Sequence, residues 1–271
     1  MVVFGVAQIQ LEEYLINSFT VILSILSPFR RIWHKKKFAA ICRANGLKLD
    51  AAINVGSLLT LEEVFVLRTY SDYFPFYKKV VIIDIGAHKG YFTLFAHKNV
   101  LQGSTIIAVE PSVENTAMLN KNLRDNEASD VNVVEGAVHT ADEIIKLYTG
   151  KSANHTIVAS LPIENGNEYT QVQGIRLSTL WDKFQLEKID FLKMDCEGAE
   201  YDILFQLPKT IFDKIEVISM EFHDLKKPGY SALDLAGHLI QMGYEILKME
   251  HLATNQNLNY GRLIARRIQV L

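Results

Sequence analysis

A chain of 271 residues is long enough to bury a sizeable core in one large domain, with room for an appended segment. Apolar residues make up 49% and charged residues 22%, and the formal net charge of −3 gives no global positive field, so no nucleic-acid partner is expected. Two cysteines, Cys42 and Cys196, supply neither a disulfide framework nor a four-cysteine zinc site, which points to a reducing, cytoplasmic setting.

The amino-terminal part opens with an uncharged stretch at residues 14–29, followed by the basic run Arg30, Arg31, Lys35, Lys36, Lys37. The stretch is shorter than the roughly 20 residues that span a bilayer, and no basic residue precedes it as in a signal peptide. It has two faces. Leu15, Phe19, Ile22, Leu26 and Phe29 recur at helical steps, and Asn17, Thr20, Ser24 and Ser27 follow the same steps on another side. A helix docking on protein is expected, with peripheral contact to a lipid surface as the alternative. The basic run is expected at the helix's carboxyl end, where cations suit the dipole.

A capping box at Thr60-Leu-Glu-Glu63 predicts a helix start that continues through Val64, Val66 and Leu67. This divides the chain into a helical segment, 1–59, and a main domain, 60–271. Within the main domain, apolar runs at 80–83, 105–109, 131–134, 189–194 and 217–220 read as strands, and 91–98, 113–126, 200–207 and 231–242 read as helices. That alternation is the mark of an α/β fold with a mostly parallel, Rossmann-like sheet. Residues 148–174, rich in Gly, Asn, Ser and Thr, are expected as an irregular excursion over the sheet's carboxyl edge, where ligands sit in such folds. The runs 244–249 and 263–268, joined by a polar stretch at 253–259, predict an antiparallel closing hairpin.

The segment Val80-Val-Ile-Ile-Asp-Ile-Gly-Ala-His-Lys-Gly-Tyr-Phe-Thr93 takes a strand through Asp84 into a turn at Gly86 and Ala87, then into a helix near Gly90. Gly86 permits a tight turn and close backbone approach to a ligand, and Gly90 permits close helix–strand packing. Glu110, at the end of the next strand, can accept both ribose hydroxyls of an adenosyl cofactor. A dinucleotide would need a central glycine for its pyrophosphate, which Gly86-Ala-His-Lys-Gly90 lacks, and Asp84 would repel that group. An aspartate there suits the amino group of a methionyl moiety, directly or through water. S-adenosylmethionine is therefore the expected cofactor, against a dinucleotide or a plain helix-entry turn.

The fourth strand ends in Asp195, Glu197 and Glu200. Clustered acids raise one another's pKa unless a sulfonium, a metal ion or Lys193 offsets them. Glu200 is read as a charge favouring the amino end of the next helix. Asp195 is read as functional, being the first residue beyond the strand. The fifth strand ends in Ser219-Met-Glu-Phe-His-Asp224, so Glu221 and His223 share a side of an extended chain and can point into the same cleft. His223 can take a proton from a substrate hydroxyl near neutral pH, or serve only as a rim histidine bonded to backbone. Ligation of a divalent metal by Asp195, Glu221 and His223 is the alternative, and it is the weaker one.

Taken together, Ile83-Asp-Ile-Gly-Ala-His-Lys-Gly-Tyr-Phe-Thr93, Val109-Glu-Pro111, Leu177-Ser-Thr-Leu180, Asp190-Phe-Leu-Lys-Met-Asp-Cys-Glu-Gly-Ala-Glu200 and Glu221-Phe-His223 resemble the FkbM family of methyltransferases. The resemblance implies a class I methyltransferase fold and S-adenosylmethionine as donor. It also implies transfer to a hydroxyl of a sugar, polyketide or similar small metabolite. By that similarity Asp84, Gly86 and Gly90 hold the methionyl end, Glu110 the ribose, and Ala137 with its neighbours the adenine. Ala87, Tyr91 and Pro111 complete the cofactor set within the matching motifs. Glu135-Gly-Ala137 departs from the Asn-Ala expected there. Two rival readings remain: a nucleic-acid methyltransferase on the same fold, disfavoured by the acidic balance and the lack of a Pro-Pro-aromatic loop, and a non-catalytic adenosyl-binding module. The sequence leaves room for an oligomer.

Overall fold

The computed structural model of the chain describes residues 31–49, 55–149, 155–156, 168–225, 227–254 and 259–268. The apolar stripe Leu15–Phe29, much of the 148–174 excursion and the tip of the closing hairpin lie outside the described residues. Contacts divide the chain into Met1–Glu62 and Glu63–Leu271.

In the first unit, residues 31–44 are helical (α1). The helix closes where Leu47 N–H bonds the Cys42 carbonyl at 2.8 Å and Gly46 takes φ +58°, a left-handed ending that glycine adopts at little cost. The basic residues Arg31 to Lys37 therefore sit in the body of α1, not at its carboxyl end as expected. The next helix, α2 (Val55–Phe65), crosses the division between the units. Thr60 is inside it, and its hydroxyl donates to the Gly56 carbonyl at 3.1 Å. The predicted capping box at Thr60 is thus overturned: the helix already starts at Val55, so Thr60 lies in its interior and caps no new one.

The second unit carries β1 (Val81–Ile85), α3 (Tyr91–Asn99), β2 (Thr105–Glu110), α4 (Val113–Asp125) and β3 (Asn132–Glu135). A smaller set follows: β4 (Ala137–Val138), β5 (Ile144–Thr149), β6 (His155–Thr156) and β7 (Tyr169–Ile175). The chain then runs through α5 (Leu177–Lys183), β8 (Ile189–Met194), α6 (Glu200–Phe205), α7 (Lys209–Phe212), β9 (Ile215–His223), α8 (Ala232–Gln241), β10 (Tyr244–Thr254) and β11 (Asn259–Arg267). The main sheet has the order β10-β11-β9-β8-β1-β2-β3. Strands β9 to β3 in that order pair in parallel, and β11 pairs antiparallel with both β9 and β10. The expected mostly parallel sheet with an antiparallel carboxyl-terminal hairpin is what forms. Among the described residues, no helix is long and apolar enough to cross a membrane.

Burial explains the parallel core. All six residues of β8 and four of five in β1 are buried, as a strand covered by helices on both faces requires. The chain winds outward from β1 to β3, then returns to place β8 on the other side of β1. That reversal opens a crevice beyond the carboxyl ends of β1 and β8, where ligands bind in folds of this kind. One expectation fails here. The 148–174 region is not wholly irregular, because β5, β6 and β7 join β4 in a second sheet of order β4-β7-β5-β6. Its polar residues lie on a half-exposed antiparallel ladder, where an alternating pattern suffices.

Candidate functional site

The turn after β1 is folded by three left-handed residues, Gly86 (φ +73°), His88 (φ +52°) and Gly90 (φ +81°). The Gly86 and Ala87 N–H groups both donate to the Val109 carbonyl at 3.0 Å, pinning the turn to the end of β2. A Cβ on Gly86 would meet the Asp195 carbonyl carbon at 2.9 Å and its oxygen closer still. The turn after β1 and the turn after β8 are therefore in direct backbone contact. A Cβ on Gly90 would instead overlap a methyl of Leu119 on α4, so the close approach there is to a helix and not to the strand expected.

Asp84 differs from expectation. It is fully buried; its Oδ2 accepts from the Thr93 hydroxyl at 2.6 Å, and its Oδ1 lies 3.1 Å from Lys193 Nζ. The register that sets Asp84 beside Lys193 on adjacent parallel strands makes the pair. Because both oxygens face protein groups, Asp84 does not itself face a methionyl amino group, and its influence passes through Lys193. That ammonium also donates to the Gly86 carbonyl at 2.8 Å and lies 3.9 Å from Asp195 Oδ2. Burial disfavours its charge, but Asp84 and Asp195 outweigh burial and hold the Lys193 pKa above the usual lysine range.

Glu110 closes the other side of the donor turn. Its Oε2 accepts from His88 N–H at 2.8 Å, and its Oε1 accepts from Ser112 N–H at 3.0 Å and Asn115 Nδ2 at 3.2 Å. Burial raises its pKa, and these donors to the carboxylate partly restrain it. A carboxylate has about four lone-pair positions, so Oε2 keeps acceptor capacity for a further hydroxyl. Pro111 is half-buried beside Glu110, Tyr91 is buried at the start of α3 with its ring edge-on to His88, and Ala137 is buried in β4. Gly136 N–H bonds the Glu110 carbonyl at 3.0 Å, so the Ala137 strand begins at the Glu110 end of the crevice.

The acidic strand ends converge. Asp195 Oδ2 lies 3.5 Å from the Tyr70 hydroxyl, and Asp195 N–H bonds the Ile85 carbonyl at 3.1 Å. His223 is buried, with Nε2 3.3 Å from Glu197 Oε2 and 3.4 Å from Glu221 Oε1. Its Nδ1 lies 3.7 Å from Glu200 Oε1, a Coulombic contact too long for a hydrogen bond. The imidazole also lies parallel to Tyr260, with ring centroids 6.0 Å apart. Burial pushes its pKa down, but Glu200, Glu221 and Glu197 push harder and hold it well above the usual histidine range. Of the two expectations for His223, a base or a rim histidine bonded to backbone, neither foresaw three carboxylates around the ring, which favour its protonated form. Glu200 stands at the amino end of the next helix as expected, and it does more than that. It opens α6, but its side chain is wholly buried and accepts from Cys196 N–H at 3.0 Å while facing His223. Among the described residues, no group of three or more His, Cys, Asp or Glu side chains is arranged to hold a metal ion, so Asp195, Glu221 and His223 form no ligand set.

Several participants escaped the sequence reading. Glu63 pairs with Arg262 at 2.6 Å, and β11 sets Arg262 opposite Glu221 and Tyr260 opposite His223. Only the pairing of β11 with β9 brings these residues to the strand ends, and no local motif marks it. Tyr70 stands in the aromatic segment before β1, and its neighbours Phe74 and Phe76 pack edge-on against Phe92 and Phe95. That run of aromatic residues was a signal available in the sequence.

Comparison with known proteins adds to this geometry. Residues 84–246 match the family described as Methyltransferase FkbM domain. Methyltransferase 1 of Beauveria bassiana (strain ARSEF 2860) is 30% identical over 183 residues, covering 61% of this chain and 73% of that protein. The AMB antimetabolite synthetase AmbE of Pseudomonas aeruginosa is 25% identical over 207 residues, covering 63% of this chain but 10% of that protein. Among solved structures, EvdMO1 superposes with a TM-score of 0.44 at 18% identity, covering 74% of this chain and 39% of that one. The chain thus spans a small part of AmbE and well under half of EvdMO1.

Proposed function

The chain belongs to the FkbM family of methyltransferases, and on that premise we propose that it transfers a methyl group from S-adenosylmethionine to a hydroxyl of a sugar, polyketide or similar small molecule. The observation that carries the donor reading is the joint between Glu110 and the glycine turn, in which His88 N–H holds the carboxylate at 2.8 Å at the end of the adjacent strand. The cofactor set in this reading is Asp84, Gly86, Ala87, Gly90, Tyr91, Glu110, Pro111 and Ala137. Glu110 accepts the ribose hydroxyls, the Gly86 turn lets backbone approach, and Asp84 acts by fixing Lys193 beneath that turn. When bound, the donor supplies an electrophilic methyl group on a sulfonium. The chain's own contribution is mostly position, because contact between the Gly86 and Asp195 backbones fixes the two turns against each other.

Asp195, Glu221 and His223 line the acceptor side in this reading. Carboxylates at both strand ends accept hydrogen bonds from hydroxyls, which suits a neutral polyhydroxylated acceptor. Residues 60–271 form the methyltransferase domain, and the two cysteines, both free thiols, accord with a cytoplasmic setting. Calorimetry on the full chain tests the donor assignment. Adenosylhomocysteine and adenosylmethionine bind and NAD does not; tight NAD binding without either adenosyl ligand would overturn it.

A further inference from the structure

We propose that Glu197 is the catalytic residue that accepts the acceptor's proton, with His223 holding its carboxylate in place. This rests on the hydroxyl-methylation reading above. Glu197 follows directly on the turn whose Asp195 carbonyl packs against Gly86, so it stands beside the donor site. Its backbone is left-handed, with φ +53°, and Gly198 follows at φ +97°. A residue with a Cβ holds that conformation under strain, and such outliers gather at functional sites. The turn presents Glu197 Oε2 to His223 Nε2 at 3.3 Å while a quarter of the side chain, 26%, stays exposed.

The neighbouring groups differ from Glu197 in partners or in exposure. Asp195 faces the Tyr70 hydroxyl and Lys193. Glu200 has no exposed surface, and the carboxylates around His223 favour its protonated form. Glu221 is less exposed than Glu197, at 16%, and stands opposite Arg262 on β11. The charged and titratable groups around Glu197 are Asp195 and Glu200 from its own turn and helix, and Glu221 and His223 from β9. Behind them stand Lys193, Tyr70, and the Glu63–Arg262 pair. Burial raises the Glu197 pKa; His223 lowers it, and Asp195, Glu221 and Glu200 raise it again, leaving it at about 7. A base of that strength suits proton transfer at neutral pH.

In the step itself, the acceptor hydroxyl gives its proton to the Glu197 carboxylate as its oxygen bonds to the methyl carbon. The carbon–sulfur bond breaks, and its electron pair stays on sulfur. The neutral carboxyl then loses the proton to water through its exposed edge.

Infrared difference titration of the full chain, with and without adenosylhomocysteine, tests this from pH 5 to 9. Wild type shows a carboxyl band that ionises near pH 7. Glu197→Gln removes that band, Glu221→Gln retains it, and Glu197→Gln binds adenosylhomocysteine within about twofold of wild type. His223→Gln provides a reading that does not depend on Glu197→Gln folding, because loss of the cation moves the band to higher pH. A band that persists in Glu197→Gln, a wild type with no carboxyl ionising between pH 6 and 8, or a band unmoved in His223→Gln overturns the assignment. If adenosylhomocysteine fails to bind wild type, the donor reading falls, and the titration of the free protein still judges Glu197.

Discussion

Gly86→Ala is the sharpest mechanical perturbation that the structure offers. At φ +73° an alanine pays a left-handed penalty of about 1–2 kcal/mol. The added methyl would meet the Asp195 carbonyl carbon at 2.9 Å, with the oxygen closer, so backbone must move rather than a side chain rotate. Overpacking of this kind costs about 1–3 kcal/mol, which brings the total to roughly 2–5 kcal/mol. The displacement required is roughly an ångström, enough on its own to cost about 10²-fold in rate when it separates reacting groups. Gly90→Ala is the control. It has a similar φ of +81°, but its methyl meets only the free end of Leu119, so it costs about 1–2 kcal/mol. Urea unfolding of the three proteins measures the first quantity, and adenosylhomocysteine calorimetry shows whether the donor site survives. Equal stability losses for the two variants, or a Gly86→Ala loss below about 1 kcal/mol, would refute the claim that the two turns are locked together.

The remaining predictions concern single side chains. Lys193→Met leaves Asp84 buried without its ion pair and should cost about 3–5 kcal/mol in urea unfolding, well above Thr93→Val, which removes one hydrogen bond to the same carboxylate at about 1.5–3 kcal/mol. Glu110→Ala should weaken adenosylhomocysteine binding by about 1.5–3 kcal/mol in calorimetry, the scale of hydrogen bonds lost to a charged group. Glu197 has a folded pKa raised to about 7, so its contribution to stability is present below the unfolded glutamate value and lost as pH rises through 7. Glu197→Gln should therefore be more stable than wild type by roughly 1–3 kcal/mol at pH 8 and nearly equal to it at about pH 4, as measured by unfolding at the two pH values.

What the sequence made legible followed from local chemistry. Apolar runs such as Val80–Ile83 and Ile106–Val109 mark the central strands of the main sheet, and the glycine turn announces itself by Gly86 and Gly90 with Glu110 at a fixed distance. Asp195, Glu221 and His223 could be placed at neighbouring strand ends because the alternation of side chains in a strand is strict. What could not be read depended on register and burial. Asp84 looked like a ligand until the pairing of β1 with β8 set Lys193 beside it. His223 looked like a base until three carboxylates were seen around it. Glu200 was read as a charge at the amino end of a helix, and only its complete burial shows that it also faces inward. The second sheet was missed because β5 and β7 carry polar, half-exposed ladders that resemble loop sequence.

A crystal structure of the full chain with adenosylhomocysteine tests the central claim, that one crevice joins a donor site at Gly86 and Glu110 to an acceptor site at the ends of β8 and β9. The account predicts a ribose hydroxyl on Glu110 Oε2 and the ligand's sulfur facing the Asp195–Glu197 turn. His223 and Glu197 should then lie within about 8 Å of the position a transferred methyl would occupy, the reach of a side chain and one bridging water. Adenosylhomocysteine bound away from Glu110, or with its sulfur beyond that reach, would contradict it.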